Sequence, residues 1–188
     1  MTSYRKSKTA IWLLASTVLC VSLVLASSTG YSFSSQYDPY FQRHAGRWMP
    51  DHDWRWLKAQ CYQESLLNPE AISEAGAEGL CQFMLPSWGE YQAKFSTTAK
   101  RTVAKESIRA AGWYMHRMER IWAGRGRYPE MRLPLAQASF NCGAGCVIQA
   151  QARCNDALEF WQIAPCLNTE TREYPCKIRK HYFRLTTE

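Results

Sequence analysis

The sequence lacks any sustained alternation of apolar and polar residues, which is the pattern of a half-buried β-strand. It also contains no internal repeat and no low-complexity tract. These absences exclude an all-β domain and a repeat architecture. Apolar residues recur instead at intervals of three and four, so the sequence predicts a mainly α-helical domain with at most a small β element.

Histidine is scarce, and the four residues of this type are dispersed along the 188-residue chain. The cysteines show no paired C-x-x-C spacing, which is the usual signature of a structural zinc site. No cysteine has a histidine close by in sequence, which disfavours a cysteine nucleophile. We therefore expect neither a metal nor an organic cofactor.

Acidic residues are fewer than basic ones, and the net charge is +7. The positive charges are scattered and form no basic stripe, so we expect no nucleic-acid partner. Arg5, Lys6 and Lys8 belong to an N-terminal segment that has the features of an export signal, described below. Without these three cations the net charge is +4. A mildly basic exported protein suits an anionic partner such as the cell wall.

The N-terminal residues 1–30 differ in composition from the rest of the chain. Three cations precede an uncharged apolar run at residues 10–26, and small residues follow it. A run of about 17 residues is long for a signal peptide and short for a spanning helix. It predicts a cleaved signal or a retained anchor, with the remainder in the periplasm or facing it from the inner membrane. We expect a tether at residues 31–50 and one domain at 51–188.

Cysteine is abundant, with eight residues in total and seven after Cys20. In an exported chain this number predicts disulfides, whose connectivity the spacing does not determine. Cys166 and Cys176 enclose a short loop, and we expect them to pair. An odd number leaves one thiol free or in an intermolecular bridge.

Glu64 follows Leu57 by seven residues, or about two turns of the helix expected after Pro50. It therefore shares the apolar side of that helix, which the Asn68–Pro69 pair ends. An acid on an apolar face is costly unless it is paired or protonated. A carboxyl kept neutral in this way suits a general acid. The alternative is an ordinary exposed glutamate near a helix end.

Beyond Glu64, glycines at positions 76 and 79 mark a turn, and residues 79–84 suggest a short strand followed by a helical turn. Gln82 is polar within this apolar stretch. Its amide either bonds to the backbone or contacts a sugar or the acid. Four further helices are expected, at residues 102–122, 133–140, 146–154 and 169–182.

Four blocks of sequence carry a resemblance to a known family. They are ESLLNP at 64–69, GAEGLCQFM at 76–84, ASFNCG at 138–143 and ETREY at 170–174. In this order they resemble the lytic transglycosylases of the soluble-transglycosylase (SLT) domain type, which share a goose-lysozyme-like fold. The resemblance implies a lysozyme-like helical domain that binds the glycan strands of peptidoglycan.

The resemblance also implies a reaction. Glu64 would protonate the bond between N-acetylmuramic acid and N-acetylglucosamine and then act as base, giving a 1,6-anhydro product. The implied substrate-binding residues are Ser65, Gln82, Phe83, Met84, Phe140, Asn141 and Tyr174. Two alternatives remain open: a hydrolytic muramidase of the same fold, and an inactive wall-binding assembly protein of a secretion or conjugation apparatus. A phage lysis enzyme is another possible setting.

The chain departs from the family pattern at three positions. Phe140 stands where a tyrosine is usual, and Tyr174 is a candidate for supplying the missing hydroxyl. Cys81 and Cys142 replace residues that are commonly aliphatic or small. If the blocks meet in space, as the family fold implies, these two sulfurs would crosslink the walls of the cleft. We therefore predict a Cys81–Cys142 disulfide.

Overall fold

The computed structural model describes residues 33–187, so the predicted signal or anchor at residues 1–30 lies outside the described part. The described residues form eight α-helices and one 3₁₀ turn. The helices are α1 (Asp38–Trp48), α2 (Arg55–Ser65), α3 (Leu85–Phe95), α4 (Ala104–Trp122), α5 (Pro129–Cys142), α6 (Ala144–Arg153), α7 (Phe160–Ile163) and α8 (Thr169–Thr187), and the 3₁₀ turn is Ala164–Cys166. None of these helices is long and apolar enough to cross a bilayer.

Helix α4 lies at the centre of the domain and packs against α1 and α5. Its predicted apolar stripe is buried as expected, because residues at intervals of three and four share one side of a helix. The stripe comprises Ile108, Ala111, Met115, Met118 and Trp122. The prediction of a mainly α-helical, lysozyme-like domain is confirmed.

The prediction of a tether at residues 31–50 is wrong for α1. Phe41 and Ala45 are buried one turn apart, and Asp38 forms an ion pair of 2.6 Å with Lys58, whose side chain is 3% exposed. Gly112 of α4 lets α1 approach closely, since a Cβ there would lie 3.2 Å from the carbonyl oxygen of His44. Residues 38–48 therefore belong to the domain.

The short strand predicted at residues 79–84 is absent from the described residues. Glu78 and Phe83 instead exchange two backbone hydrogen bonds of 3.0 and 3.1 Å in an isolated bridge, and Glu78 also pairs with Ile72. Gly79 makes this tight turn possible, with a φ of +88°. A Cβ on Gly79 would lie 2.1 Å from the carbonyl oxygen of Arg101, so only glycine fits there.

Three helices differ most from the sequence prediction. Residues 85–95 form a full helix, α3, where only one helical turn was expected after Met84. Helix α5 begins at Pro129, which places Pro134 inside the helix instead of at its start. Helix α8 runs to Thr187, five residues beyond the predicted end.

Both predicted disulfide pairings are wrong. Cys81 pairs with Cys61, because the turn at residues 76–84 lies beside α2, and their Cα atoms are 4.4 Å apart. Cys142, the last residue of α5, pairs with Cys146 in the first turn of α6, across the junction at Gly143. The third disulfide joins Cys166 to Cys154 at the end of α6, which leaves Cys176 free and exposed on α8.

Candidate active-site cleft

Glu64 lies in the last turn of α2, on a wall of an open cleft. The helix ends one residue later, where Leu66 and Leu67 both adopt left-handed conformations with φ of 57° and 64°. Ser65 donates a hydrogen bond of 2.7 Å to the carbonyl oxygen of Leu80, which ties the helix end to the neighbouring turn. The last turn of α2, which carries Glu64, is thereby held against the segment that carries Gln82.

The cleft has a volume of about 480 Å³, which is within the range of ligand-binding sites. Its walls come from the end of α2, residues 73–84, the start of α3, the middle of α4, the end of α5 and α8. The lining residues are Gln63, Glu64, Ser73, Ala75, Ala77, Gln82, Phe83, Met84, Ser87, Tyr114, Phe140, Asn141, Glu170, Tyr174 and Lys177.

The Glu64 carboxyl has an unusual acidity. Burial raises its pKa from the ordinary value of 4.5 to about 7, because the ionised form loses hydration. A hydrogen bond donated by the Tyr174 hydroxyl opposes this rise, whereas the negative charge of Glu170 adds to it. The protonated and ionised forms of Glu64 are therefore both populated near neutral pH. A single group that first donates a proton and later accepts one needs both forms.

Tyr174 reaches Glu64 from α8 and is itself buried, with 4% of its surface exposed. Burial raises the pKa of its phenol well above the usual value, and the neighbouring Glu64 charge raises it further. The hydroxyl therefore stays protonated and acts as a permanent hydrogen-bond donor to the acid. The hydroxyl thus lies at Glu64, and the role of Tyr174 in place of the hydroxyl that Phe140 lacks stays a prediction.

Gln82 adopts a left-handed backbone conformation, with a φ of 52°. Its amide nitrogen donates to the carbonyl oxygens of Ala71 and Gly79 at 3.0 and 2.9 Å. Of the two roles considered for this amide, the structure therefore shows the backbone contact. The side chain also lines the cleft, and its Oε1 is the amide atom left to accept a hydrogen bond from a ligand.

Asn141 connects α5 to α8 at the edge of the cleft. Its Oδ1 accepts a hydrogen bond of 2.6 Å from the Thr171 hydroxyl, and its Nδ2 donates one of 3.3 Å to Glu170. The residue lies inside the last turn of α5. Its side chain is thus held in place by the ETREY block, and its orientation in the cleft follows from these two contacts.

Aromatic rings form another wall. The Phe140 ring packs edge-on against Phe83 and Tyr114, with centroids 5.6 and 5.5 Å apart. Phe83 is only 2% exposed and mainly supports this wall, whereas Met84 is 43% exposed at the rim. An apolar surface of this kind suits the C–H face of a sugar ring.

The structure brings together all but one of the residues predicted for the site. The exception is Ser65, whose hydroxyl is used by the Leu80 carbonyl and which does not line the cleft. The sequence prediction missed Tyr114 and Lys177. Lys177 follows Tyr174 by three residues on α8, so its position could have been found from helical spacing. No cluster of potential metal ligands occurs among the described residues.

The comparison with protein families agrees with this geometry. The model of the transglycosylase SLT domain matches residues 41–162, which include Glu64 and most of α1 and end before α8. The chain belongs to the transglycosylase SLT domain family. The match begins within α1, in agreement with its place in the domain.

Similar curated proteins carry the name membrane-bound lytic murein transglycosylase F. The protein from Idiomarina loihiensis is 37% identical over 109 residues, which is 58% of this chain and 22% of that protein. The protein from Shewanella oneidensis is 33% identical over 162 residues, which is 79% of this chain and 30% of that protein. The chain thus spans less than a third of the length of these relatives.

Solved structures show the same fold. The 70 kDa soluble lytic transglycosylase from Escherichia coli superposes with a TM-score of 0.67 at 20% identity, covering 82% of this chain and 25% of that protein. The lytic transglycosylase Slt from Pseudomonas aeruginosa, solved as an inactive mutant, gives 0.66 at 23% identity with the same coverage.

Proposed function

We propose that the chain is a lytic transglycosylase that cleaves peptidoglycan glycan strands between N-acetylmuramic acid and N-acetylglucosamine. The observation that carries this proposal is Glu64, a carboxyl with a pKa of about 7 that lines the cleft and receives the Tyr174 hydrogen bond. Membership of the SLT family and similarity to proteins named lytic murein transglycosylases support it.

In the proposed reaction, protonated Glu64 gives its proton to the glycosidic oxygen, and the bond to the anomeric carbon breaks. Positive charge develops on that carbon, and the acetamido group of the same sugar stabilises it. The Glu64 carboxylate then removes the proton from the C6 hydroxyl, whose oxygen bonds to the anomeric carbon. Glu64 regains its proton, no water is consumed, and the product is a 1,6-anhydro sugar.

The surroundings of the other acids support this substrate-assisted route. A retaining enzyme with a protein nucleophile needs a second carboxylate about 5 Å from the first. Of the sequence candidates, Glu70 and Glu74 are exposed, and Glu78 pairs with Arg101 at 2.5 Å. None of the three lines the cleft, and Glu170, which does, accepts the Asn141 hydrogen bond.

Digestion of purified peptidoglycan tests the proposal. The wild-type chain should release fragments with 1,6-anhydro ends, identified by mass spectrometry, and Glu64→Gln should lose at least about 10²-fold in rate. Glu70→Gln is the matched control, because this acid is exposed outside the cleft, and it should act at the wild-type rate. Reducing ends would identify a muramidase, and binding without cleavage would identify a wall-binding protein.

We further propose that the chain acts in the periplasm, attached to the membrane only through its N-terminal segment. Local opening of the wall for a secretion, conjugation or phage machine is the proposed setting. N-terminal sequencing of the exported protein distinguishes a cleaved signal from a retained anchor. Crosslinking in intact cells, followed by identification of the captured proteins, tests the machine partner.

A further inference from the structure

A second, smaller pocket of about 250 Å³ lies between α2, α5, α7 and α8. It shares no lining residue with the cleft. Helix α8 contributes Tyr174 to the cleft and Pro175 to this pocket, so the two sites lie on different sides of the same helix. The proposed reaction uses no residue of the second pocket.

The pocket contains an unused hydrogen-bond donor. Gln137 of α5 lines the pocket and is 2% exposed, yet its side-chain Nε2 has no hydrogen-bond partner among the described residues. A buried amide without a partner is costly, and folded proteins rarely tolerate one without a reason. Because Nε2 itself is closed to solvent, the side chain must turn toward the pocket before a ligand carbonyl oxygen can supply the missing acceptor.

An acceptor lies on the same helix. Pro134, inside α5, has no N–H, so the carbonyl of Glu130 loses the helical donor it would otherwise have. Glu130 and Pro134 both line the pocket. The carbonyl or the exposed carboxylate of Glu130 is thus available to a ligand N–H. Donor and acceptor lie seven residues apart on α5, or about two turns, and are the two kinds of group that the C=O and N–H of an amide bind.

The remaining walls are mostly apolar or aromatic, with His52 and Arg179 as the polar members. Leu133, Pro134 and Pro175 provide an apolar surface that a methyl group can contact. Trp161 is 46% exposed, with the Arg179 guanidinium over one face of its ring, 5.3 Å from the ring centre. An exposed indole beside an apolar surface suits the C–H face of a sugar ring, whose hydroxyls the guanidinium can bind.

We propose that this pocket binds the N-acetylhexosamine unit of a glycan. Gln137 donates to the acetamido carbonyl, Glu130 accepts from its N–H, and the methyl group contacts Leu133 and the prolines. Trp161 carries the sugar ring. The inference goes beyond the proposed function, because it adds a second glycan-binding site away from Glu64. Such a site would keep the protein bound to the wall between cleavage events.

Titration of the full chain with N,N′-diacetylchitobiose tests the proposal, using cellobiose as the control that lacks acetamido groups. No tryptophan lines the cleft, whereas Trp161 and Trp56 line the second pocket, so their ¹⁵N indole signals report on it. Trp56 also packs against the cluster that contains Tyr174 of the cleft, so the shift of Trp161 is what assigns binding to the second pocket. Trp161→Phe assigns the first signal. The Glu64→Gln background prevents cleavage of the probe.

We expect both indole signals to shift with the acetylated disaccharide, with millimolar affinity, and not with cellobiose. Gln137→Leu should weaken binding at least about tenfold, which corresponds to about 1.4 kcal/mol. Trp161→Ala, at an exposed position, should weaken binding similarly, and the Trp56 signal reports on binding in that variant. It keeps the proposal testable should Gln137→Leu fail to fold. Equal shifts with cellobiose, or no shift at saturating probe, would overturn the proposal.

The outcome is independent of the reaction assigned to the cleft. Should Glu64→Gln digest wall normally, the proposed function fails while the indole titration can still succeed. If the indole signals do not shift with the acetylated probe while the wild-type protein releases anhydro ends, only the proposal of the second site is rejected.

Discussion

Replacing Glu64 by glutamine should change the stability of the folded protein in a pH-dependent way. The carboxyl has a pKa of about 7 in the folded state against 4.5 ordinarily, so the folded protein binds its proton more tightly than the unfolded chain. That contribution to stability is fully present below pH 4.5 and is lost as the pH rises through 7. Glutamine never ionises and therefore never suffers this loss.

The expected magnitude follows from the size of the pKa change. A rise from 4.5 to about 7 is about 2.5 units, and each unit corresponds to 1.36 kcal/mol. The stability of Glu64→Gln relative to wild type should therefore increase by about 3 kcal/mol between pH 4 and pH 8. The open side of the cleft lets water reach the carboxyl, so this figure is an upper value.

Urea denaturation of both proteins at several pH values measures this difference. The free energy of unfolding is obtained at each pH, and wild type is subtracted from variant. Glu70→Gln serves as the control, because an exposed acid should give a difference that stays nearly constant with pH. A flat difference for Glu64→Gln as well would show that burial does not raise the pKa, and the basis of the proposed acid would be lost.

Three further variants probe the supports of the site. Tyr174→Phe removes the hydrogen bond that lowers the pKa of Glu64, so the pH profile of kcat/KM should move to higher pH by about one unit; an unmoved profile would contradict the contact. Gly79→Ala places a Cβ 2.1 Å from a carbonyl oxygen and should lower the free energy of unfolding in urea by about 2 kcal/mol or more. Gly89→Ala is the control: its helical Cβ has open space around it, so the free energy of unfolding should rise by about 0.5–1 kcal/mol. Ser65→Ala loses the bond to Leu80 and should cost about 1 kcal/mol without moving the pH profile, so a moved profile would place Ser65 at the acid itself.

The position of Glu64 could be predicted because its signals are local. The interval of seven residues from Leu57 placed Glu64 on the inner side of α2, and the ETREY block indicated Tyr174. The contact between them joins residues 110 positions apart, and no spacing in the sequence encodes it. It came from the family resemblance, since the fold alone determines which helix ends meet.

Helix α1 was missed because its composition misleads. Ser, Tyr, Gly and Arg dominate residues 27–50 and suggest a flexible segment. The helix is nevertheless fixed by its packing on α4 and α2, with Phe41 and Ala45 in the core and an Asp38–Lys58 ion pair. Such tertiary contacts outweigh weak local preference and are invisible before the partner helices are known.

The cysteine pairings failed for a related reason. The prediction assumed that the sulfurs of Cys81 and Cys142 face each other across the cleft. Each cysteine instead uses a neighbour on its own side: Cys61 on α2 in one case and Cys146 across the turn after α5 in the other. Disulfide geometry depends on Cα separations of a few ångströms, which sequence spacing does not determine.

The Cys61–Cys81 bond has a consequence for when the proposed activity would appear. The disulfide links α2, which carries Glu64, to the turn that carries Gln82. Disulfides form in oxidising compartments and not in the cytoplasm. A newly synthesised copy still inside the cell would lack this disulfide, so its Glu64 would be less firmly positioned. If the proposed function and export hold, maturation would be coupled to export, and the producing cell would keep the proposed wall-cleaving activity latent until then.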